Sequence, residues 1–484
     1  MKKRILLINP PIISKDGFLD RDDISPPLGL LSIRSYLLNR NSQCQIDLID
    51  LNLESERNDF FNVDSIYFLK EKFLKRFEER FDIPDLVGVS SHYSNLHIAI
   101  QVINLIKKIN RKVKIIIGGA HPTFVAEELL DICSTIDAVC CNEGELSFYQ
   151  YYNYLYNSFP LDGVKGIKLR GENGKIIFNG DNRLLNENEI PVPDYSILDL
   201  SRYTNNFAKA VWIEGGRGCP YKCSFCATSV FWRRTNRPFA ITRILSEVKE
   251  LVNLGVTKFR FTYDNFTTSR EYVEHFCRSI LTLATPIEWE CYSRVDTIHH
   301  KQVKLLKSSG CKKIFFGFES TTNDGQNYLN KKYIIHKANK IIKELVENNI
   351  EVEGNFIIGL PGQDYLADID TLLSALKLKE MGAGNIQITY LHYYPGSQIE
   401  VKSKYNYSDK VIELLTPIVS MLNVKHSLFR IFSYLNDDKR VERIKARFCL
   451  LYLIEYYPIF FKIILKQHKI CFKDILNNLV RASQ

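Results

Sequence analysis

Short apolar runs bounded by polar turns alternate with stretches of helical spacing along most of this 484-residue chain. Arg4–Asn9 is apolar and stops at Pro10-Pro11, and Gln45–Leu51 is a second run. Leu86–Ser91 is a third, Val113–Ile117 halts at Gly118-Gly119, and Asp137–Cys141 leads into Asn142-Glu143-Gly144-Glu145. Between them, Leu28–Asn39 and Leu96–Ile109 place apolar residues three and four apart, as one face of a helix requires. Strand–helix alternation of this kind predicts a doubly wound α/β domain, an open parallel sheet with helices on both faces. Such sheets bind ligands beyond the carboxyl ends of their strands. Here those ends carry Pro10-Pro11, Ser90-Ser91, Gly118-Gly119 and Glu143-Gly144-Glu145.

The pattern breaks after residue 150. Lys168–Asn179, with Gly171, Asn173 and Gly174 inside it, reads as a hairpin, and Pro191, Pro193 and Asp194 punctuate an extended linker over 151–205. Alternation then restarts. Strands are predicted at Val211–Glu214, Lys258–Tyr263, Glu288–Tyr292, Lys313–Phe318, Val352–Ile358 and Ile386–Tyr390. Helices are predicted at Thr242–Leu254, Ser269–Leu283, His299–Ser308, Ile335–Asn348 and Tyr365–Met381. Six strand–helix units over 206–405 predict a partial (β/α)6 barrel resembling a TIM barrel, with its working face at the strand carboxyl ends. Residues 406–484 read as a helical, aromatic and basic C-terminal domain, and 1–150 as the N-terminal domain.

Composition narrows the class. Hydrophobic residues make up 45% of the chain and charged residues 25%, as in folded globular proteins. The net charge of +9 is a mild excess, compatible with an anionic substrate or a membrane surface. The most apolar stretch, Phe448–Leu465, is interrupted by Glu455, Pro458 and Lys462, so it reads as a packed or surface-lying helix and not a span. The N-terminal apolar run is too short for a secretory signal, which points to a reducing cytoplasm in which the twelve cysteines stay unpaired.

Three of those cysteines carry the chemistry. Gly218-Cys219-Pro220-Tyr221-Lys222-Cys223-Ser224-Phe225-Cys226 offers three thiolates on one tight loop, just after the first predicted barrel strand. Closed structural zinc sites and ordinary four-iron clusters take four protein ligands. No other His or Cys lies within about forty residues of Cys226, so zinc would lack its fourth ligand. A three-thiolate site leaves one metal position open, which is the signature of chemistry.

This Cys-x3-Cys-x2-Cys run, at that place in a partial barrel, resembles the radical S-adenosylmethionine (SAM) superfamily. The resemblance implies a [4Fe-4S] cluster on Cys219, Cys223 and Cys226, with SAM chelating the open iron and being cleaved reductively to a 5′-deoxyadenosyl radical. Phe225 sits where the family has an aromatic residue. Further matches lie at predicted strand ends: Asp264 in Asp264-Asn265-Phe266-Thr267, Arg294 in Ser293-Arg294-Val295-Asp296, and Glu319 in Gly317-Phe318-Glu319-Ser320. Gly359 and Pro361, in Gly354–Gly362, resemble the segment that packs on adenine, with Gln363 where many members carry Glu. The resemblance makes these SAM contacts.

The N-terminal region resembles the cobalamin-binding domain that precedes the barrel in one large subfamily, through Asn9-Pro10-Pro11, Pro26-Pro27-Leu28-Gly29-Leu30, Gly88-Val89-Ser90, Gly118–Thr123 and Glu143-Gly144-Glu145. It implies corrin contacts from Pro10, Pro11, Leu28, Ser90, Ser91, Gly118, Gly119, His121, Glu143 and Gly144. The Asp-x-His-x-x-Gly motif of histidine-ligated cobalt is absent, so His121 is expected at the Gly-Gly loop or the corrin periphery and not on cobalt.

The function expected from both resemblances is cobalamin-dependent methylation of an unactivated carbon, or of phosphorus. The alternatives are a non-methylating radical SAM cyclase, dehydratase or rearrangement enzyme, a transfer-RNA methylthiotransferase-like enzyme, and a cobalamin-binding sensor. The methylthiotransferase reading would need Cys133, Cys140 and Cys141 as extra ligands. Cys140 and Cys141 are adjacent on a strand and should face opposite sides. A small-molecule, peptide or lipid substrate and an external donor such as flavodoxin or ferredoxin are expected, with no nucleic-acid partner. The basic stretch Arg430–Arg447 and the aromatic run after it leave contact with a membrane surface, or a lid over the barrel mouth, as alternatives to a solvated face.

Overall fold

The structure is a computed structural model and describes residues 2–12, 24–40, 44–54, 84–171, 173–204, 210–363 and 365–399. The expected C-terminal domain, with its basic stretch and aromatic run, lies outside the described residues. Chain contacts divide into two compact units. The first comprises Met1–Phe266, His275–Cys291 and Tyr394–Gln398, and the second comprises Thr267–Glu274, Tyr292–Tyr393 and the chain from Ile399.

In the first unit, β1 (Lys3–Asn9), β2 (Cys44–Asp50), β3 (Leu86–Ser90), β4 (Lys114–Gly118) and β5 (Ala138–Cys140) form the predicted parallel sheet. Helices α1 (Leu28–Arg40), α2 (Leu96–Ile109) and α3 (Gly144–Tyr156) cover it. The strands read as continuous apolar runs because both faces are covered. Odd and even residues go to different cores. Leu6, Ile8, Val87, Val89, Ile115 and Ile117 pack with Ile98, Val102 and Ile106 of α2. Ile5, Leu7, Leu86, Ile116 and Ala138 pack with Leu30 and Leu37 of α1 and with Phe148, Tyr151 and Tyr152 of α3. Cys141 belongs to the first core and Cys140 to the second, the opposite-facing pair that strand geometry predicts.

The hairpin read as part of a linker is sheet. Strand β6 (Ile167–Arg170) pairs antiparallel with β5, and β7 (Ile176–Phe178) pairs antiparallel with β6, giving the order β2-β1-β3-β4-β5-β6-β7. The turn residues announced the hairpin, but nothing local announced its partner.

The same unit continues with β8 (Val211–Ile213), helix α4 (Ile241–Asn253), β9 (Lys258–Phe261) and, up to Cys291, β10 (Glu288–Ser293). Strand β9 runs parallel between β8 and β10, with Phe259 opposite both Val211 and Trp289. Phe261, Phe266, Phe276 and Trp289 interlock behind it, ring centroids 4.9–6.0 Å apart, mostly edge to face. Helix α5 (Arg270–Ile280) precedes β10.

In the second unit, β11 (Cys311–Glu319), β12 (Glu351–Ile358) and β13 (Ile386–Tyr390) are parallel, joined through α6 (Ile335–Glu347) and α7 (Tyr365–Glu380). Phe318 stacks on Phe356 at 5.1 Å, and a Cβ on Gly354 would fall 2.5 Å from the Phe318 ring. The expected helix over His299–Ser308 is a 3-10 turn, His300–Gln302, running into a short helix, Val303–Ser308. His299 caps the turn by accepting a hydrogen bond from the Lys301 N–H, which stops the α-helix from starting earlier.

Candidate functional site

The cysteine loop leaves β8 through Glu214-Gly215-Gly216-Arg217-Gly218. Gly216-Arg217 pairs antiparallel with Arg237-Pro238. Gly218 has φ +91°, and a Cβ there would lie 2.3 Å from the Thr235 carbonyl oxygen, so only glycine passes. Its N–H donates to Asp264 Oδ2 at 3.1 Å, which places the predicted Asp264 against the start of the loop. Burial raises the Asp264 carboxyl to about 6, against the pull of the Gly218 N–H. Cys223 is buried, Cys219 and Cys226 are partly so, and the Cys226 N–H closes a turn on the Cys223 carbonyl at 3.2 Å. Burial lifts the Cys219 thiol to about 11, and Asp264 and the other two cysteines add to it. Among the described residues, no three His, Cys, Asp or Glu side chains converge on one point as a single ion demands. A four-iron cube spreads its thiolates over separate corners, and three soft donors on one turn suit that shape.

The carboxyl edge of the N-terminal sheet opens into a cavity of about 230 Å³ that is open to solvent at its mouth. Its floor comes from Gly88, Ser90, Gly118, Gly119 and Asn142–Glu145, one side from Gly29, Leu30 and Ile33 of α1. Glu214, Arg217, Phe231 and Trp232, which bracket the cysteine loop in sequence, line the cavity as well. A Cβ on Gly29 would meet nothing within 4 Å, so bare backbone faces open space there. Gly119 has φ +114°, and a Cβ would lie 2.1 Å from the Ser91 carbonyl oxygen, which lets the β3 and β4 ends close on each other. A broad, flat ring needs such side-chain-free walls, and a corrin fits the cavity in that sense.

Of the ten predicted corrin contacts, Ser90, Gly118, Gly119, Glu143 and Gly144 line this cavity, while Pro10, Pro11, Leu28, Ser91 and His121 do not. Pro10 and Ser91 are tied to buried Asn95 instead. His121 stands edge-on to Tyr93 at 5.3 Å, its imidazole pushed toward neutrality by burial, and no histidine is among the cavity's lining residues. Tyr93 also packs edge-on against Tyr394 at 5.1 Å, Gly396 sits against the Phe124 ring, and the Gln398 N–H donates to the Ser224 carbonyl at 2.7 Å.

Residue-by-residue reading missed the group that joins cavity wall and cysteine loop. Arg217, 3% exposed, donates to Glu143 Oε1 at 3.0 Å, to Glu145 Oε1 at 2.7 Å, and to both Glu214 oxygens at 3.1 and 3.0 Å. Arg237 reaches the same Glu143 Oε1 at 2.8 Å. The Ser32 hydroxyl donates to Glu145 and the Leu185 N–H to Glu143. Burial pushes the Glu145 carboxyl up, but Arg217 and Ser32 outweigh it and hold Glu145 below the usual range. The only sequence signal was the acidic pair in Glu143-Gly144-Glu145 and an arginine two residues before Cys219.

The second unit groups two of the predicted SAM contacts. Glu319 adopts φ +64° at a bulge between Gly317 and Glu319 that ends β11. Its Oε1 accepts from Lys331 Nζ at 2.9 Å, and both side chains are buried. Buried Arg294 donates to both Asp296 oxygens at 3.0 and 2.9 Å and to the Lys331 carbonyl at 2.7 Å. Lys331 thus links Arg294 to Glu319, and no motif pointed to it. Tyr333 donates to the Phe318 and Ser320 carbonyls and fixes the turn. Gly359 has φ +75° and donates to both oxygens of buried Asp368 at 3.1 Å, which anchors the segment that carries Pro361. Gln363, where many members carry Glu, donates to Thr322 at 2.6 Å.

Comparison with known proteins places these features. Residues 213–375 match the radical SAM superfamily model, and residues 18–151 match the B12 binding domain model. An uncharacterized methyltransferase of Pyrococcus horikoshii is 28% identical over 400 residues, covering 82% of each chain. The anaerobic magnesium-protoporphyrin IX monomethyl ester cyclase of Rubrivivax gelatinosus is 26% identical over 291 residues, 58% of this chain and 52% of its own. In fold, the chain is similar to a radical SAM methyltransferase from Kitasatospora setae solved with cobalamin and a [4Fe-4S] cluster. The TM-score is 0.67 at 16% identity, over 82% of this chain and 74% of that one. The cofactors of these two domains are a [4Fe-4S] cluster, SAM and cobalamin. The chain is an enzyme that carries a radical SAM domain over residues 213–375, preceded by a B12-binding domain over residues 18–151.

Proposed function

We propose that this enzyme is a cobalamin-dependent radical SAM methyltransferase that acts on an unactivated carbon, or on phosphorus, of a small molecule. The observation that carries the reading is the cavity: it is lined both by the glycine-rich ligand edge of the N-terminal sheet and by residues that flank the cysteine loop. A ring bound there would touch residues that flank the loop.

Cys219, Cys223 and Cys226 would hold the cluster, and Asp264 fixes the entry to their loop through the Gly218 N–H. By the family resemblance, Glu319, now paired with Lys331, would meet the SAM ammonium, and Arg294, now paired with Asp296, the SAM carboxylate. Gly359 and Pro361 would pack on adenine, and Phe225 stands inside the cysteine loop, just before Cys226. Gly88, Ser90, Gly118, Gly119 and Gly144 floor the corrin site. When bound, cluster and corrin supply an electron for SAM cleavage and a methyl carrier; the chain's own residues bind, orient and exclude water from them. An external one-electron donor such as flavodoxin or ferredoxin, and a reducing cytoplasm, belong to the same proposal. The ten described cysteines form no disulfide, and among the described residues no helix is long and apolar enough to cross a membrane.

The likeness to the Rubrivivax cyclase favours a second reading, ring formation without methyl transfer. Product mass separates the two. Anaerobically reconstituted enzyme with SAM, hydroxocobalamin and reductant should release 5′-deoxyadenosine and add one methyl to its substrate. Radical cleavage with an unmethylated product would overturn the methyltransferase reading and leave the cyclase. The methylthiotransferase alternative loses support because Cys140 and Cys141 face separate cores.

A further inference from the structure

We propose that Arg217 is a positioning residue that couples the corrin cavity to the cysteine loop; the proposal rests on the cofactor sites assigned above. Arg217 lies two residues before Cys219, and its guanidinium lines the cavity. Two of its three carboxylate partners, Glu143 and Glu145, belong to the sheet edge and line the same cavity, while the third, Glu214, stands at the start of its own loop. A ring filling the cavity therefore touches both ends of this network.

The backbone leaves the network little slack. Arg217 is paired in register with Arg237, whose guanidinium shares Glu143 Oε1, so two paired strands grip one carboxylate. A Cβ on Gly216 would fall 2.8 Å from the Arg237 carbonyl oxygen and the Pro238 Cα, and one on Gly218 would strike Thr235. The chain is hemmed in on either side of Arg217, at Gly216 before it and at Gly218 between it and Cys219. The Trp232 ring, 5.5 Å from the Arg217 guanidinium and 5.8 Å from that of Arg237, closes the remaining face. A displacement of Glu143 or Glu145 by a bound ring must pass to Cys219 through a forked, multiply bonded arginine.

Coupling is reciprocal, so it is measurable as an effect of one ligand on the affinity for the other. The experiment uses full-length protein, anaerobically reconstituted with iron and sulfide, and determines SAM affinity from the electron paramagnetic resonance of the reduced cluster, with and without hydroxocobalamin. In the wild type, saturating hydroxocobalamin should change SAM affinity by about fivefold or more. Arg217→Lys keeps the charge but loses the fork, and should bring that factor close to one at unchanged iron content. Glu145→Gln, which keeps the shape and can still accept from Arg217, should reduce it as well and serves where Arg217→Lys does not fold. Arg217→Lys or Glu145→Gln protein with the wild-type factor overturns the positioning role, as does wild-type protein that binds both ligands independently. Wild-type protein that takes up no hydroxocobalamin overturns the corrin reading itself, and this proposal with it.

Discussion

Glu247 on α4 is a buried carboxyl whose neighbours do not compensate for burial. Its Oε1 accepts from the Tyr195 hydroxyl at 2.7 Å, yet burial raises the carboxyl to about 7. The folded state thus holds a proton that the unfolded chain releases near its ordinary value of 4.5. The contribution of protonated Glu247 is full below about pH 4.5 and is lost as pH rises from there through about 7, by roughly 3 kcal/mol in all. Denaturation midpoints at pH 5 and pH 8 should differ in that direction, and Glu247→Gln should narrow the gap; an unchanged gap would refute the assignment. Alanine at Cys219, Cys223 or Cys226 should abolish cluster absorbance and 5′-deoxyadenosine release, whereas alanine at Cys140 or Cys141 should leave both. Iron lost from the second pair would show that the N-terminal thiols are ligands after all. At this scale, legibility followed locality. The three thiols sit within eight residues, and Glu319 and Gly359 sit in compact motifs. Arg217 and Glu145 stand 72 positions apart, and Lys331 lies 12 beyond Glu319 with no pattern between them, so only the fold reveals those pairs.

Strands and helices were legible wherever apolar period and turn glycines agreed, as at β3, β4 and β12. What the pattern could not say is how a strand ends. The bulge in β11 rotates Glu319 to a positive φ, and a Cβ on Gly317 would lie 2.1 Å from Glu319 Oε1 and 2.7 Å from Lys331 Nζ. Both atoms are tips of flexible side chains, so Gly317→Ala should fold and push the carboxylate aside. The loss of a charge-assisted contact is worth about 1.5–3 kcal/mol, or roughly ten- to a hundredfold in SAM affinity, with little change in melting temperature. A variant that melts early but binds SAM normally would mean that the bulge serves packing and not the cofactor. The antiparallel hairpin β6–β7 was also legible only in part: its turn was local, its partner strand was not.

At the scale of the whole chain, the order of a B12-type domain and a radical SAM domain was readable because each carries its own strand-end signature. A cavity that borrows walls from both sequence regions was not, because its members run from Gly29 to Trp232. A ligand that binds only the folded cavity must stabilise it. Hydroxocobalamin at a hundred times its Kd should add about 2.7 kcal/mol to the unfolding free energy, and removing it should restore the lower melting temperature. A melt indifferent to cobalamin would argue against the site.

The hydrogen bond from the Gln398 N–H to the Ser224 carbonyl carries a consequence for biosynthesis. Ser224 sits inside the cysteine run, but its partner emerges from the ribosome 174 residues later, roughly ten to thirty seconds at ordinary elongation rates. The thiols are therefore made long before the backbone between them is fully bonded. Iron and sulfide delivered to the nascent chain before residue 398 is made would meet a loop that still lacks this bond.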